Sequence, residues 1–123
     1  MEHQIGAWAE ITTTVSETDT ALHFGSGDVA VLATPRVVAL VEEAACKAIR
    51  SSMEEGRTTV GTRIELDHLL PSPIGSEVVA RAEVLSLDGH WIEFGVVVTM
   101  DDREVARGRH YRVGVARDRF ETP

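Results

Sequence analysis

Cysteine and aromatic residues are scarce in this chain of 123 residues: one Cys, one Tyr, two Trp and three Phe. Cys46 has no partner of its own kind, so a disulfide within the chain is excluded, which fits a reducing compartment. No apolar run approaches the roughly 20 residues that a membrane span needs. Met1 to Ala9 contains no basic segment leading into an apolar one, so the expectation is a soluble, cytoplasmic protein. Basic residues are outnumbered, 12 against 20 acidic, for a net charge of −8. Neutralising phosphates takes clustered Lys and Arg, so this balance argues against a nucleic-acid partner. The chain also lacks zinc-ligand Cys/His spacing, a GxSxG elbow and a phosphate-binding glycine loop. No metal and no resident cofactor is expected.

What is present is globular: 43% hydrophobic and 26% charged residues, with the length of a single domain spanning 1–123. Residues 117–123 read as a loose tail. Six of the twelve basic residues fall in the last 21 positions: Arg103, Arg107, Arg109, Arg112, Arg117 and Arg119. They form either a solvated, ion-paired strand or a local anion site.

Trp8 to Val15 is rich in aromatic and β-branched residues and reads as a strand. Ser16 to Ala33 reads as a loop broken at Gly25-Ser26-Gly27-Asp28, although Val29 to Ala33 is apolar enough to pack over something. The spacing predicts one long helix from Thr34 to about Glu54, with Thr34 as N-cap, Pro35 at the first helical position and Gly56 beyond the end. Four strands follow: Thr58–Leu70, Glu77–Leu87, His90–Met100 and Arg103–Ala116. Asp88-Gly89 is the strongest hairpin signal, of type I′, and Asp101-Asp102 reads as a second turn. Short connections make antiparallel neighbours. The result is an α+β domain, one long helix packed on a five-stranded antiparallel sheet.

Several residues break the pattern of their own element. On the helix, Arg36, Glu43, Lys47 and Arg50 share one side and Val37, Val41, Ala44 and Ala48 the other. Glu42 lies off the polar stripe, between Val38, Ala45 and Ile49 on one hand and Cys46 on the other. A carboxylate there needs a partner, either structural or functional. Alternation over Thr58–Leu70 places Val60, Thr62, Ile64, Leu66 and His68 on the helix-facing side. His68 is thus either a satisfied core histidine or a group able to act as acid, base or donor. Thr34 has its capping role, but the helix start also offers unpaired N–H groups and a positive dipole end for an oxyanion. Gly25, Ser26 and Gly27 are either extra donors or simply a turn. His110 shares a face with Gly108, Arg112 and Gly114, where small residues allow close approach.

Val31-Leu32-Ala33-Thr34-Pro35 followed by Leu40-Val41-Glu42-Glu43-Ala44-Ala45-Cys46 resembles the start of the helix in the fluoroacetyl-CoA thioesterase-like family of hotdog proteins. So do Val60-Gly61-Thr62 with His68, Pro73 and Gly75 after it, and the closing Gly108-Arg109-His110-Tyr111-Arg112. The resemblance covers roughly Gly25 to Val115. It implies a hotdog fold, hydrolysis of an acyl-CoA thioester, and an active site of Thr34, Glu42 and His68. Gly61 and Arg112 carry over as substrate-contacting or supporting positions, and the Gly25-Ser26-Gly27 loop is a further candidate for contact with substrate. The resemblance further implies a homodimer with its sites at the interface, no metal, and coenzyme A only as part of the substrate; the C-terminal arginines, read as an anion site, would suit its phosphates. Two other functions stay open: a non-catalytic hotdog dimer that binds an acyl ligand, and a hydratase or dehydratase. The latter is disfavoured by the missing Asp-x-x-x-x-His signature.

Overall fold

Thr34–Ile49 forms the long helix α2, and the sheet is built around its apolar side. The computed structural model describes residues 2–121. In chain order the elements are β1 (Trp8–Thr14), a short helix α1 (Ala21–Phe24), α2, β2 (Arg57–His68), β3 (Glu77–Asp88), β4 (Trp91–Met100), β5 (Arg103–Ala116) and a terminal turn of helix α3 (Arg117–Glu121). Arg117–Glu121 is therefore ordered as helix where a loose tail was expected, and an Arg117–Glu121 ion pair at 3.1 Å spans its ends. Residues 122–123 lie outside the described ones.

The five strands form one antiparallel sheet in the order β1-β3-β4-β5-β2. This matches the α+β expectation. The layer contact comes from Val37, Leu40, Val41, Ala44, Ala45 and Ile49 on α2 against Val78, Ala80, Ala82 and Val84 on β3 and Ile92, Phe94, Val96 and Val98 on β4. Ala80 and Ala82 are small enough for the helix to come close. Each large side chain buried here, such as Leu40 or Phe94, contributes about 1.5–3 kcal/mol relative to exposure. No described helix is long and apolar enough to cross a membrane.

Local chemistry moves several expected boundaries. The N-cap of α2 is Ala33, not Thr34, and it makes no side-chain cap bond. Ala33 is fixed instead by its own N–H, which donates to the Asp19 carbonyl at 2.9 Å, while Arg36 Nε donates to Asp19 Oδ1 at 2.9 Å. Thr34 becomes the first helical residue and its hydroxyl is free for other work. At the far end α2 tightens into a 3-10 turn over Arg50–Ser52, and Gly56 at φ +79° turns the chain into β2. Of the apolar stretch Val29–Ala33, only Leu32 and Ala33 are buried.

The hairpins also differ from expectation. Asp88 pairs with Trp91, so the loop is Gly89-His90, and only Gly89 has positive φ, +60°. That is the type II′ pattern. The type I′ pattern sits at Asp101 and Asp102, with φ +51° and +62°. In β2 the register against β5 shifts between Gly61 and Arg63, leaving Thr62 as a bulge. Thr62 is exposed, its hydroxyl donating to the Tyr111 carbonyl at 3.1 Å. The bulge overturns the expected phase. Thr59 and Gly61, rather than Val60 and Thr62, share the inner side with Ile64, Leu66 and His68.

Candidate active site

Glu42 stands midway along α2, on the flank facing β5 and the bulged part of β2. Its side chain is 40% exposed, against 51% for Glu43 beside it. Glu42 is held from below by a fixed guanidinium: Arg112 Nη1 donates to Glu42 Oε2 at 3.3 Å. Among the described residues Oε2 alone is engaged in this way, and Oε1 carries no hydrogen bond.

Arg112 is fixed by four contacts. Its Nε donates to Thr59 Oγ1 at 2.9 Å, Nη2 to the Thr59 carbonyl at 3.1 Å, and Nη1 to His110 Nε2 at 3.1 Å as well as to Glu42. His110 is buried, stacked on Phe94, and its Nδ1 donates to the Arg63 carbonyl at 2.8 Å. Burial holds His110 below its ordinary pKa of 6.5; the Arg63 carbonyl opposes this, Arg112 adds to it and Glu42 opposes it. The ring is therefore neutral near pH 7, with its proton on Nδ1.

Gly61 closes this cluster from the side of β2. A Cβ there would fall 2.7 Å from Glu42 Oε2, 3.2 Å from His110 Cε1 and 3.3 Å from Arg112 Nη1. A side chain at this position would displace the carboxylate. Gly108, on the same face of β5, admits no Cβ because the Glu65 backbone of the neighbouring strand lies there. The cleft over Glu42, about 380 Å³, is lined also by Ile11, Ala39, Glu43, Cys46, Arg50 and Arg112.

A second cluster lies at the start of α2. Thr34 Oγ1 and His68 Nδ1 are 2.8 Å apart. His68 Nε2 is buried without a hydrogen-bond partner among the described residues. Burial lowers the His68 pKa below 6.5, opposed in part by the Leu70 backbone. In the first turn of α2, Pro35 has no N–H, and Arg36 and Val37 both donate to the Ala33 carbonyl. The one amide left open there is that of Thr34 itself. The cleft at this cluster, about 290 Å³, is lined by Ala21, Ser26, Val31, Leu32, Leu69 and Leu70 with Thr34 and His68.

The expected site residues thus fall into two groups. Glu42 and Arg112 line one cleft, with Gly61 packed against both; Thr34, His68 and Ser26 line another. Gly25 and Gly27 do not line it. Gly25, at φ +71°, is the left-handed cap of α1, and Gly27 packs on Ala21. Thr34 and Glu42 are eight residues apart on one helix, or about 12 Å along its axis. Sequence reasoning missed Thr59 and the part played by His110. Alternation along β5 does place His110 on the face of Arg112, the signal that was available.

The C-terminal arginines are mostly engaged. Arg107 pairs with Glu104 at 3.7 Å, Arg109 with Glu93 at 3.4 Å, and Arg112 is buried. Arg103 and Arg119 have no acidic partner among the described residues. No group of three or more His, Cys, Asp or Glu is arranged to hold a metal ion among the described residues.

The family model of the fluoroacetyl-CoA-specific thioesterases, FlK, matches residues 15–118. The fluoroacetyl-CoA thioesterase of Streptantibioticus cattleyicolor is 30% identical over 90 residues, which make up 73% of this chain and 65% of that protein. A solved structure of a fluoroacetyl-CoA-specific thioesterase variant, in complex with fluoroacetate and CoA, superposes with a TM-score of 0.87. It is 25% identical, over 95% of this chain and 98% of the other. A thioesterase superfamily member from Thermus thermophilus superposes with a TM-score of 0.90 at 24% identity, over 98% and 89% of the two chains. The fold of a long helix on a five-stranded antiparallel sheet is the hotdog fold.

Proposed function

The chain belongs to the family of fluoroacetyl-CoA-specific thioesterases, and on that basis we propose that it hydrolyses small or medium acyl-CoA thioesters to a carboxylate and free CoA. The observation that carries this reading is the half-buried carboxylate of Glu42, anchored through Oε2 and open at Oε1. In this reading Oε1 is the atom that works. It either attacks the thioester carbonyl, breaking the C–S bond and expelling CoA thiolate to leave a transient anhydride that water then cleaves to two carboxylates, or takes a proton from the attacking water. In the water route that proton passes on to the departing thiolate, so water and thioester leave as acid and thiol. The developing oxyanion is met by the Thr34 N–H and hydroxyl at the positive end of the helix dipole. His68 fixes the direction of that hydroxyl by donating its Nδ1–H to Thr34 Oγ1, which leaves the hydroxyl proton for the oxyanion.

Glu42 and Thr34 line separate clefts of one chain, so in this reading they meet one carbonyl across two protomers. A reacting carbon has to lie about 3–3.5 Å from its nucleophile, and Thr34 is about 12 Å from Glu42 along α2. A homodimer resolves this if the Glu42 cleft of one protomer faces the Thr34–His68 cleft of its partner. Strand β2 is at the sheet edge, so its outer backbone groups are open to such pairing. The lining of the Thr34 cleft is aliphatic and small, which suits a short or medium acyl group. Arg103, Arg119 and Arg50, the last lining the Glu42 cleft, are the cations open to the CoA phosphates.

The test is thiol release across a panel of acyl-CoA chain lengths. Glu42→Ala and His68→Ala are each expected to lose about 100-fold or more in kcat while staying folded. Mixing the two inactive variants should restore about a quarter of wild-type activity, because half the dimers are mixed and each mixed dimer has one intact site. Full activity in both single variants would overturn the reading. Saturable acyl-CoA binding without turnover by the wild type would replace it with a carrier or sensor.

A further inference from the structure

The mechanism leaves one buried titratable group without a role. Arg112 has five N–H donors, and four are committed: two to Thr59, one to His110 Nε2 and one to Glu42 Oε2. Both contacts made by Nη1 lie at the site, so whatever fixes one of its N–H bonds aims the other. His110 Nε2 is suited to this, because the Arg63 carbonyl takes the proton of Nδ1 and leaves Nε2 as an acceptor. The ring cannot turn, being stacked on Phe94 and fully buried. Arg63 is the residue directly after the Thr62 bulge, so the irregularity that brings Gly61 inward also precedes the carbonyl that fixes the histidine.

We infer that His110 is a positioning residue for the reaction: held as the Nδ1–H tautomer by the Arg63 carbonyl, it aims Arg112 Nη1 at Glu42 Oε2 and so leaves Oε1 as the free oxygen facing substrate. The inference rests on the assignment of Glu42 as the working carboxylate. His110 lies 3.8 Å from Glu42 Oε2, beyond hydrogen-bond reach, so its effect passes through Arg112. A protonated His110 would present a second donor to Nη1 and a like charge to the guanidinium, which is why the neutral form is required.

Kinetics of five variants test this. His110→Phe keeps the stack on Phe94 but removes the acceptor; kcat should fall about 10- to 100-fold with KM changed less than about 3-fold. His110→Gln offers an amide oxygen to Arg112 and should recover most of kcat. His110→Asn keeps a donor for the Arg63 carbonyl without reaching Arg112; it should behave like Phe, and it carries the test if Phe does not fold. In the Glu42→Gln background, His110→Phe should add no further loss, because its effect runs through Glu42. A Phe or Asn variant with wild-type kcat would overturn the positioning role. So would equal losses in Gln, Asn and Phe that track melting temperature, since a merely structural residue behaves that way. Wild-type activity in Glu42→Gln alone would instead overturn the thioesterase assignment of Glu42, a separate outcome.

Discussion

The Thr34 hydroxyl lies 2.8 Å from Nδ1 of His68, tying the first residue of α2 to the last residue of β2. Neither residue gains this contact from its neighbours in sequence. Thr34 is released for it because Ala33 takes over the N-cap position, and Ala33 is held there by the Asp19 carbonyl. The same geometry leaves the Thr34 amide as the open donor of the first turn. One residue thus offers a backbone and a side-chain donor to the same small cleft.

Substitution at Thr34 separates these two donors. Thr34→Ser keeps the hydroxyl and is expected to stay within a few-fold of wild type. Thr34→Val keeps the shape and the amide but removes the hydroxyl. It should cost about 100- to 1000-fold in kcat, in line with the loss of one oxyanion donor. It also leaves His68 without its partner, a stability cost of about 1–3 kcal/mol. Thiol-release kinetics and thermal unfolding measure both, and a Val variant as active as Ser would remove the hydroxyl from the mechanism.

The order and type of α2 and the five strands were legible because each carries a strong local signal, whereas the short helices α1 and α3 fall where a loop and a tail were expected. The apolar spacing of α2 predicts which of its faces is buried, and Val37, Val41 and Ala44 are in the core. The site was legible by position and not by connection. Helical geometry distinguishes Glu42 from Glu43, but no local rule announces that Arg112, seventy residues later, reaches it. The Thr62 bulge was hidden because Val60, Thr62 and Ile64 alternate as an unbroken strand would. A bulge is a property of two paired strands, so one strand's sequence does not display it. The Thr34 cap was misplaced by one residue for a similar reason: the group that fixes Ala33 comes from Asp19, across a loop.

Gly61 gives a prediction that depends on the bulge. A methyl group there would fall 2.7 Å from Glu42 Oε2. The obstacle is the end of a flexible side chain, so the carboxylate moves and the strand does not. Gly61→Ala should therefore fold with a melting temperature close to wild type. Its kcat should drop about 10- to 100-fold, because a displacement near 1 Å at a reacting group has that effect. Had Gly61 faced outward, as unbroken alternation requires, alanine would leave kcat unchanged. Steady-state kinetics together with circular dichroism melting distinguish the two.

The last prediction follows from the histidines. His3, His68 and His110 all have pKa values lowered below 6.5, in each case mainly by burial. In the unfolded chain each returns to 6.5, so just below that pH the unfolded state binds more protons than the folded one. Stability then rises with pH through this window, is fully present above pH 6.5, and declines as pH falls toward the folded-state values. Asp19 adds to the loss at lower pH. Burial disfavours its charge, but the Ser16 backbone and hydroxyl and the Arg36 guanidinium outweigh this and hold it below 3.8. Its contribution is present above pH 3.8 and is lost as pH falls through the depressed value. Activity should follow His110 at its acid limb, since protonated His110 repels Arg112. Melting temperature measured from pH 8 to pH 5 should therefore fall less steeply for His110→Gln than for wild type, because glutamine does not titrate. Equal slopes in the two proteins would show that His110 is not among the groups that couple folding to pH.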